Sequence, residues 1–222
     1  MGQLLKNKSF KEEWFIIVKS VKNKKLIIGI TGPIGSGKST LLNYFKEKGY
    51  KVVSADQINY QLLNETKHIV NVNKLLFNTK SSILDKKLVK EVIFKDSNKK
   101  TLLENYLHPL IIKTINKELK KGANLMFVEA ALLYESGFNK QMDYVIGVVA
   151  DSEVIVKRLK KRDNLDEEMI KNILATQKSK EFLKENANYL VDNSYSIENT
   201  YQKLDEILKM LMEAQNGNLQ NK

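Results

Sequence analysis

Cysteine is missing altogether from the 222 residues, which excludes disulfides and thiolate metal sites and is compatible with a reducing cytoplasm. No apolar run reaches the ~18 residues needed to span a bilayer. The run Trp14-Phe15-Ile16-Ile17-Val18 is short, and the acidic pair Glu12-Glu13 with no small-residue cleavage site does not read as a secretory signal. Internal repeats are absent, as are helix-turn-helix, zinc-finger and aromatic-stacking signatures. Acidic residues are too few to balance the basic ones: 37 Lys+Arg against 26 Asp+Glu leave +11. Such a charge points to an anionic partner, whether nucleic acid, an acidic membrane or a phosphorylated small molecule. The lysines are scattered along every segment, which weakens the nucleic-acid reading and leaves a solvated surface as the alternative. Arginine is the scarcest of the basic residues. Only Arg158 and Arg162 occur, four apart in one segment.

Against these absences stands Gly32-Pro33-Ile34-Gly35-Ser36-Gly37-Lys38-Ser39, which fits G-x-x-x-x-G-K-[ST]. It follows the apolar run Leu26 to Ile30 and precedes a helical pattern in which Leu41, Leu42 and Phe45 recur until Gly49, a C-cap. In that context the glycines let backbone N–H groups turn toward a phosphate at a helix N-terminus. Lys38 can reach β/γ-phosphates, and the Ser39 hydroxyl can ligate Mg²⁺.

Further strands are expected at Lys51 to Ser54, Asn124 to Glu129, Tyr144 to Val149 and Tyr189 to Val191, with helical patterns between them. Asp85 and Ser97 read as N-caps, His108-Pro109 as a kink or helix break, and Asp151 and Asp166 as helix starts. Ser196 caps a last helix with Ile197, Tyr201, Leu204, Ile207, Leu208 and Leu211 inward. Strands alternating with helices predict an α/β fold built on a parallel five-stranded sheet, with ligands at the carboxyl ends of the strands.

Five further positions carry candidate chemistry. Asp56, at the end of the second strand, either accepts or orients the proton of an attacking hydroxyl across from a γ-phosphate or caps the helix starting near Ile58. Glu129 either holds Mg²⁺ through water or is an ordinary strand-end carboxylate. Arg158 and Arg162, on one helix face by their spacing, either clamp a transferring phosphoryl group or form a surface charge pair. His108 is structural or touches substrate, and His68 has no supporting context.

Taken in order, Ile30 to Thr40, Ser54-Ala55-Asp56, Leu107-His108-Pro109, Ala131-Leu132-Leu133-Tyr134-Glu135, Lys157-Arg158 through Arg162-Asp163, Gln177 and Val191-Asp192-Asn193 resemble the dephospho-CoA kinase family from Leu26 to about Leu211. The resemblance implies a P-loop, nucleotide-kinase-like core (25–56, 123–150 and 186–215), a helical segment 57–122 for the CoA substrate and a lid over 151–185. It implies transfer of the ATP γ-phosphoryl group to the ribose 3′-hydroxyl of dephospho-CoA, the last step of coenzyme A synthesis. Asp56 is then the base or orienting group. Gly32 to Thr40 hold the phosphates, Ser39 and Glu129 organise Mg²⁺, Arg158 and Arg162 close over the transferring group, Asn193 lies near the adenine and His108 near the acceptor. Four positions depart from the family pattern: Ser54 replaces the first aspartate of D-A-D, Ala131 a proline, and Tyr60 and Lys180 arginines. The expected protein is a cytoplasmic enzyme, monomeric or weakly oligomeric, using ATP and Mg²⁺ without specific nucleic acid or membrane. Two other readings stand beside it: a P-loop kinase of a nucleoside or nucleotide, and a non-enzymatic ATP-binding switch or nucleic-acid module. Residues 1–24 read as an appended helix or strand or the product of an upstream start codon, and 216–222 as a flexible tail.

Overall fold

The computed structural model describes residues 25–215 apart from 122, 164 and 165, so the expected extension and tail lie outside the described residues. Five strands are described: β1 (Leu26–Thr31), β2 (Lys51–Ser54), β3 (Leu125–Glu129), β4 (Tyr144–Val149) and β5 (Tyr189–Asp192), paired in parallel in the order β2-β3-β1-β4-β5. Their near-continuous apolar sequences suit a sheet covered on both faces. The strand period of two divides them between the faces. Leu26, Ile28, Ile30, Leu125 and Phe127 enter one cluster, while Val128, Met126 and Val53 enter another on the opposite side.

The first face is covered by α1 (Lys38–Glu47) and α9 (Ile197–Gln215), through Leu41, Phe45, Leu204, Ile207 and Leu211. Gly49 follows α1 in the left-handed conformation expected after a helix C-cap. Against the second face lie α2 (Ala55–Leu62) and the second half of α5 (Ser97–Lys120), through Ile58, Leu62, Ile115 and Leu119. A separate apolar cluster joins α5 to α3 (Thr66–Phe77) and α4 (Lys86–Lys95). The chain continues from β4 into α6 (Ser152–Asp163), α7 (Glu167–Ala175) and α8 (Lys180–Asn186) before β5.

Two local expectations are corrected and two alternatives set aside. Asp96, not Ser97, caps α5, its carboxylate accepting from Asn98 N and Lys99 N at 2.9 and 3.1 Å. Pro109 does not break α5. Although it removes one helical donor, Leu103 and Leu107 before it and Ile115 and Leu119 after it are anchored in two different cores, which hold both halves within one helix. Asp56 does not cap its helix, because Ser54 does, with Oγ accepting from Gln57 N at 3.3 Å. Ile197 is 42 % exposed and not inward. Asp85 and Asp166 cap α4 and α7 as expected, and His68 gains a context: it is buried, with Nδ1 2.7 Å from the Tyr106 hydroxyl.

Candidate active site

β1 is the strand at which the topology reverses, with β3 on one side and β4 on the other, so a crevice opens at its carboxyl end. The glycine loop fills that place, between β1 and α1. Gly37 takes φ +100, and a Cβ there would lie 1.8 Å from Asn193 Nδ2. Only glycine satisfies both demands.

Behind the loop, Asn193 is buried, with both its amide oxygen and its amide nitrogen in hydrogen bonds. Its Nδ2 donates to Ser36 O at 2.9 Å, its Oδ1 accepts from the Thr200 hydroxyl at 2.9 Å, and its backbone N donates to Val149 O. Arg158 adds a second brace from α6: Nη1 donates to the carbonyls of Gly35 and Ser36 at 3.2 and 3.4 Å, and Nη2 to Asn193 O at 2.8 Å. Pulling carbonyls backward leaves loop N–H groups free to face an anion. Arg162, one turn further on, is exposed and pairs with Asp163 at 2.6 Å. Lys38 curls over the loop, with Nζ donating to Gly32 O and Pro33 O at 2.8 and 3.2 Å.

A cavity of about 850 Å³ lies over the loop, and its walls include Lys38, Ser39, Asp56, Glu129, Arg158, Arg162, Asn193 and the exposed Tyr195 and Ile197. Its charges feel one another. Burial holds the Lys38 ammonium below the usual lysine range, with Glu129 and Asp56 opposing and Arg162 adding to the shift. Burial, then the charge of Asp56, pushes the Glu129 carboxyl above the usual range, against a hydrogen bond from Ser54 and the charge of Lys38. Register places Ser54 directly across from Glu129, and its hydroxyl donates to Glu129 Oε2 at 2.7 Å. The serine at this position therefore supplies a donor to one carboxylate while capping the helix that carries the other.

A second cavity, about 410 Å³, runs between α5, α2 and the end of α7. Leu103, Leu107, Ile111, Ile115, Leu132 and Phe138 make it largely apolar, and Asp56, His108, Lys100 and Gln177 supply its polar edge. Asp56 belongs to both cavities, in the first turn of α2, where a carboxylate complements the helix dipole. His108 belongs to the second alone of the two.

Positive-φ glycines, a lysine over the loop and the buried hydroxyl of Ser36, which has no hydrogen-bond partner among the described residues, fit a polyphosphate. Ser39 and Glu129 offer hard oxygens on the same cavity, which fits Mg²⁺. Among the described residues no group of three or more His, Cys, Asp or Glu forms a metal cage, so such an ion would depend on nucleotide oxygens and water. Sequence reading did not identify the braces made by Thr200 and Arg158, the Ser54–Glu129 bond, or the bond from Ile34 N to Gln177 Oε1 at 2.8 Å. The departure of Ser54 from its motif and the place of Gln177 within the family pattern were the only signals of the last two. Lys180 lies between Asp151 and Asp192, at 3.3 and 3.1 Å, tying α8 to the ends of β4 and β5.

The family model described as CoaE, dephospho-CoA kinase, matches residues 26–199. A dephospho-CoA kinase of Fusobacterium nucleatum is 33 % identical over 193 residues, covering 84 % of this chain and 98 % of that protein. Among solved structures, TT1252 from Thermus thermophilus superposes with a TM-score of 0.74 at 28 % identity, covering 85 % of this chain and 98 % of its own. A dephospho-CoA kinase from Campylobacter jejuni gives 0.61 at 28 % identity, covering 87 % and 98 %.

Proposed function

The chain belongs to the dephospho-CoA kinase family, and on that premise we propose that it phosphorylates the ribose 3′-hydroxyl of dephospho-CoA with ATP, giving coenzyme A and ADP. The observation that carries the reading is Asp56 standing in both cavities. One cavity is built on a phosphate loop for the donor. The other is apolar with a few polar groups, as suits an acceptor with a long organic arm. A residue common to both is where the two substrates would meet.

Asp56 accepts a hydrogen bond from the 3′-hydroxyl and takes its proton as the oxygen bonds to the γ-phosphorus. The bridging oxygen leaves with ADP, and the proton passes to solvent. Lys38 and the loop N–H groups hold the phosphates, with Arg158 bracing the loop from behind. Arg162 is placed to leave Asp163 and meet charge developing on the transferring group. Ser39 and Glu129 would hold Mg²⁺, which when bound neutralises phosphate charge. Tyr195, Ile197 and Asn193 border the donor cavity where a base would lie. Residues 57–122 carry the acceptor side and 151–185 form a lid. The protein is a monomer or weak oligomer, and a cysteine-free chain suits the cytoplasm. No helix among the described residues is long and apolar enough to cross a membrane.

The test is a coupled ADP-release assay with ATP and Mg²⁺, offering dephospho-CoA beside nucleosides and nucleoside monophosphates. Turnover with dephospho-CoA alone is expected. Turnover only with a nucleoside or nucleotide would replace this acceptor. Membership of the family disfavours both alternatives raised from the sequence.

A further inference from the structure

Gln177 lies just beyond α7, its backbone N donating to Leu174 O. Its side chain reaches across 143 positions of sequence to the apex of the phosphate loop, where Oε1 accepts from Ile34 N at 2.8 Å. The Ile34 side chain packs against the cluster of Ala150, Ile155, Leu159 and Ile170, which Leu174 also joins. The loop apex is therefore fastened to the segment just beyond α7 by one hydrogen bond from its backbone to a side chain, and to α6 and α7 by one apolar cluster. Thr176 and Gln177 also form a wall of the acceptor cavity, facing Asp56 and His108, while Ile34 is a wall of the donor cavity. A single side-chain bond thus joins the two walls. Without an acceptor at position 177, Ile34 N–H loses its partner, and a displaced α7 end would move both walls together.

We propose that Gln177 is a positioning residue that couples the two substrates. An acceptor seated against Thr176 and Gln177 holds the amide, the amide holds Ile34, and the loop stays in its phosphate-binding shape, so each substrate tightens the other. The inference rests on the reading that the 410 Å³ cavity takes dephospho-CoA. A bond that only stabilised the fold would leave the affinities of the two substrates independent.

Isothermal titration of full-length protein with a non-hydrolysable ATP analogue and Mg²⁺, with and without saturating dephospho-CoA, reads the coupling directly. The expected tightening in the wild type is about 5-fold or more, the lower end of ordinary site–site coupling, and the reciprocal titration must give the same factor. Gln177→Ala should bring that factor close to one. Gln177→Glu keeps an oxygen for Ile34 N–H and should retain most of it, even if added charge weakens the analogue overall. Should the alanine variant not fold, Gln177→Leu, of similar volume and without an acceptor, makes the same comparison. No coupling in the wild type, coupling undiminished in Gln177→Ala, or Gln177→Glu behaving like Gln177→Ala would each overturn the proposal. If dephospho-CoA fails to bind the wild type at all, the acceptor assignment falls and this inference with it. If it binds and is phosphorylated while Gln177→Ala couples normally, only the role of Gln177 falls.

Discussion

Glu129→Gln should make the protein more stable and less active, and the size of each effect follows from where this carboxylate sits. It is 3 % exposed at the end of a central strand, with one oxygen taken by the Ser54 hydroxyl. Glutamine has the same shape and can still accept that hydrogen bond through Oε1, so no cavity and no orphaned hydroxyl are created. What disappears is a charge that burial and Asp56 disfavour. Removing one ill-solvated polar group is worth about 1–3 kcal/mol. Part of that is offset by the lost attraction to Lys38 and by a weaker hydrogen bond from Ser54, leaving a net gain of about 1 kcal/mol. For a domain near this size that is a melting temperature higher by about 2–4 °C.

The pH dependence fixes the sign. The folded pKa of Glu129 lies above its unfolded value of 4.5. Below 4.5 the group is protonated in both states. Between the two values the folded state alone holds the proton, and above both it carries a buried charge that the unfolded chain carries in water. Stability tied to this group is therefore fully present below the unfolded pKa and lost as pH rises through the folded one. The advantage of glutamine should be largest above the folded pKa and shrink as pH falls toward 4.5. In parallel, turnover or apparent Mg²⁺ affinity should fall about 10–100-fold, the usual cost of removing a group that orients a metal site. Scanning fluorimetry from pH 5 to 8.5 and an Mg²⁺ titration of turnover supply both readings. A variant less stable than wild type at pH 8 would refute the reasoning, because it would mean that the pairing with Lys38 outweighs the cost of burial.

Two substitutions test the neighbours. Asp56→Asn should cut turnover by about 10²–10⁴, the contribution of a positioned acid–base group, while calorimetry shows the ATP analogue still binding; wild-type rates would remove Asp56 from the mechanism. Arg158→Ala should weaken ATP-analogue binding by about tenfold or more, since one charge-assisted hydrogen bond is worth about 1.5–3 kcal/mol. Arg158→Lys should recover only part of it, because an ammonium cannot fork to carbonyls of two segments; full recovery in titration calorimetry would show that the fork is dispensable.

The parts legible in the sequence are those whose determinants are local. The phosphate loop, its flanking strand and helix, and the buried parallel strands each announce themselves within a dozen residues, through glycine spacing or continuous apolar runs. The scarcity of arginine drew attention to the segment from which Arg158 reaches the loop, yet gave no sign that Arg158 would brace carbonyls while Arg162, on the cavity wall, pairs with Asp163. The misreadings arise where distant packing overrides a local rule. Pro109 ought to interrupt a helix, but two cores on either side of it keep α5 continuous. Ser54 against Glu129 and Gln177 against Ile34 bridge 75 and 143 positions, and no periodicity within one segment encodes such a pair.

The account rests on the acceptor being the 3′-hydroxyl of dephospho-CoA. Incubating the purified chain with ATP, Mg²⁺ and dephospho-CoA and following the products by ³¹P NMR tests this directly. One ADP is expected for each new phosphomonoester, with the phosphate on the ribose 3′-oxygen. A phosphate on any other position, or ADP formed without a phosphorylated acceptor, would contradict it.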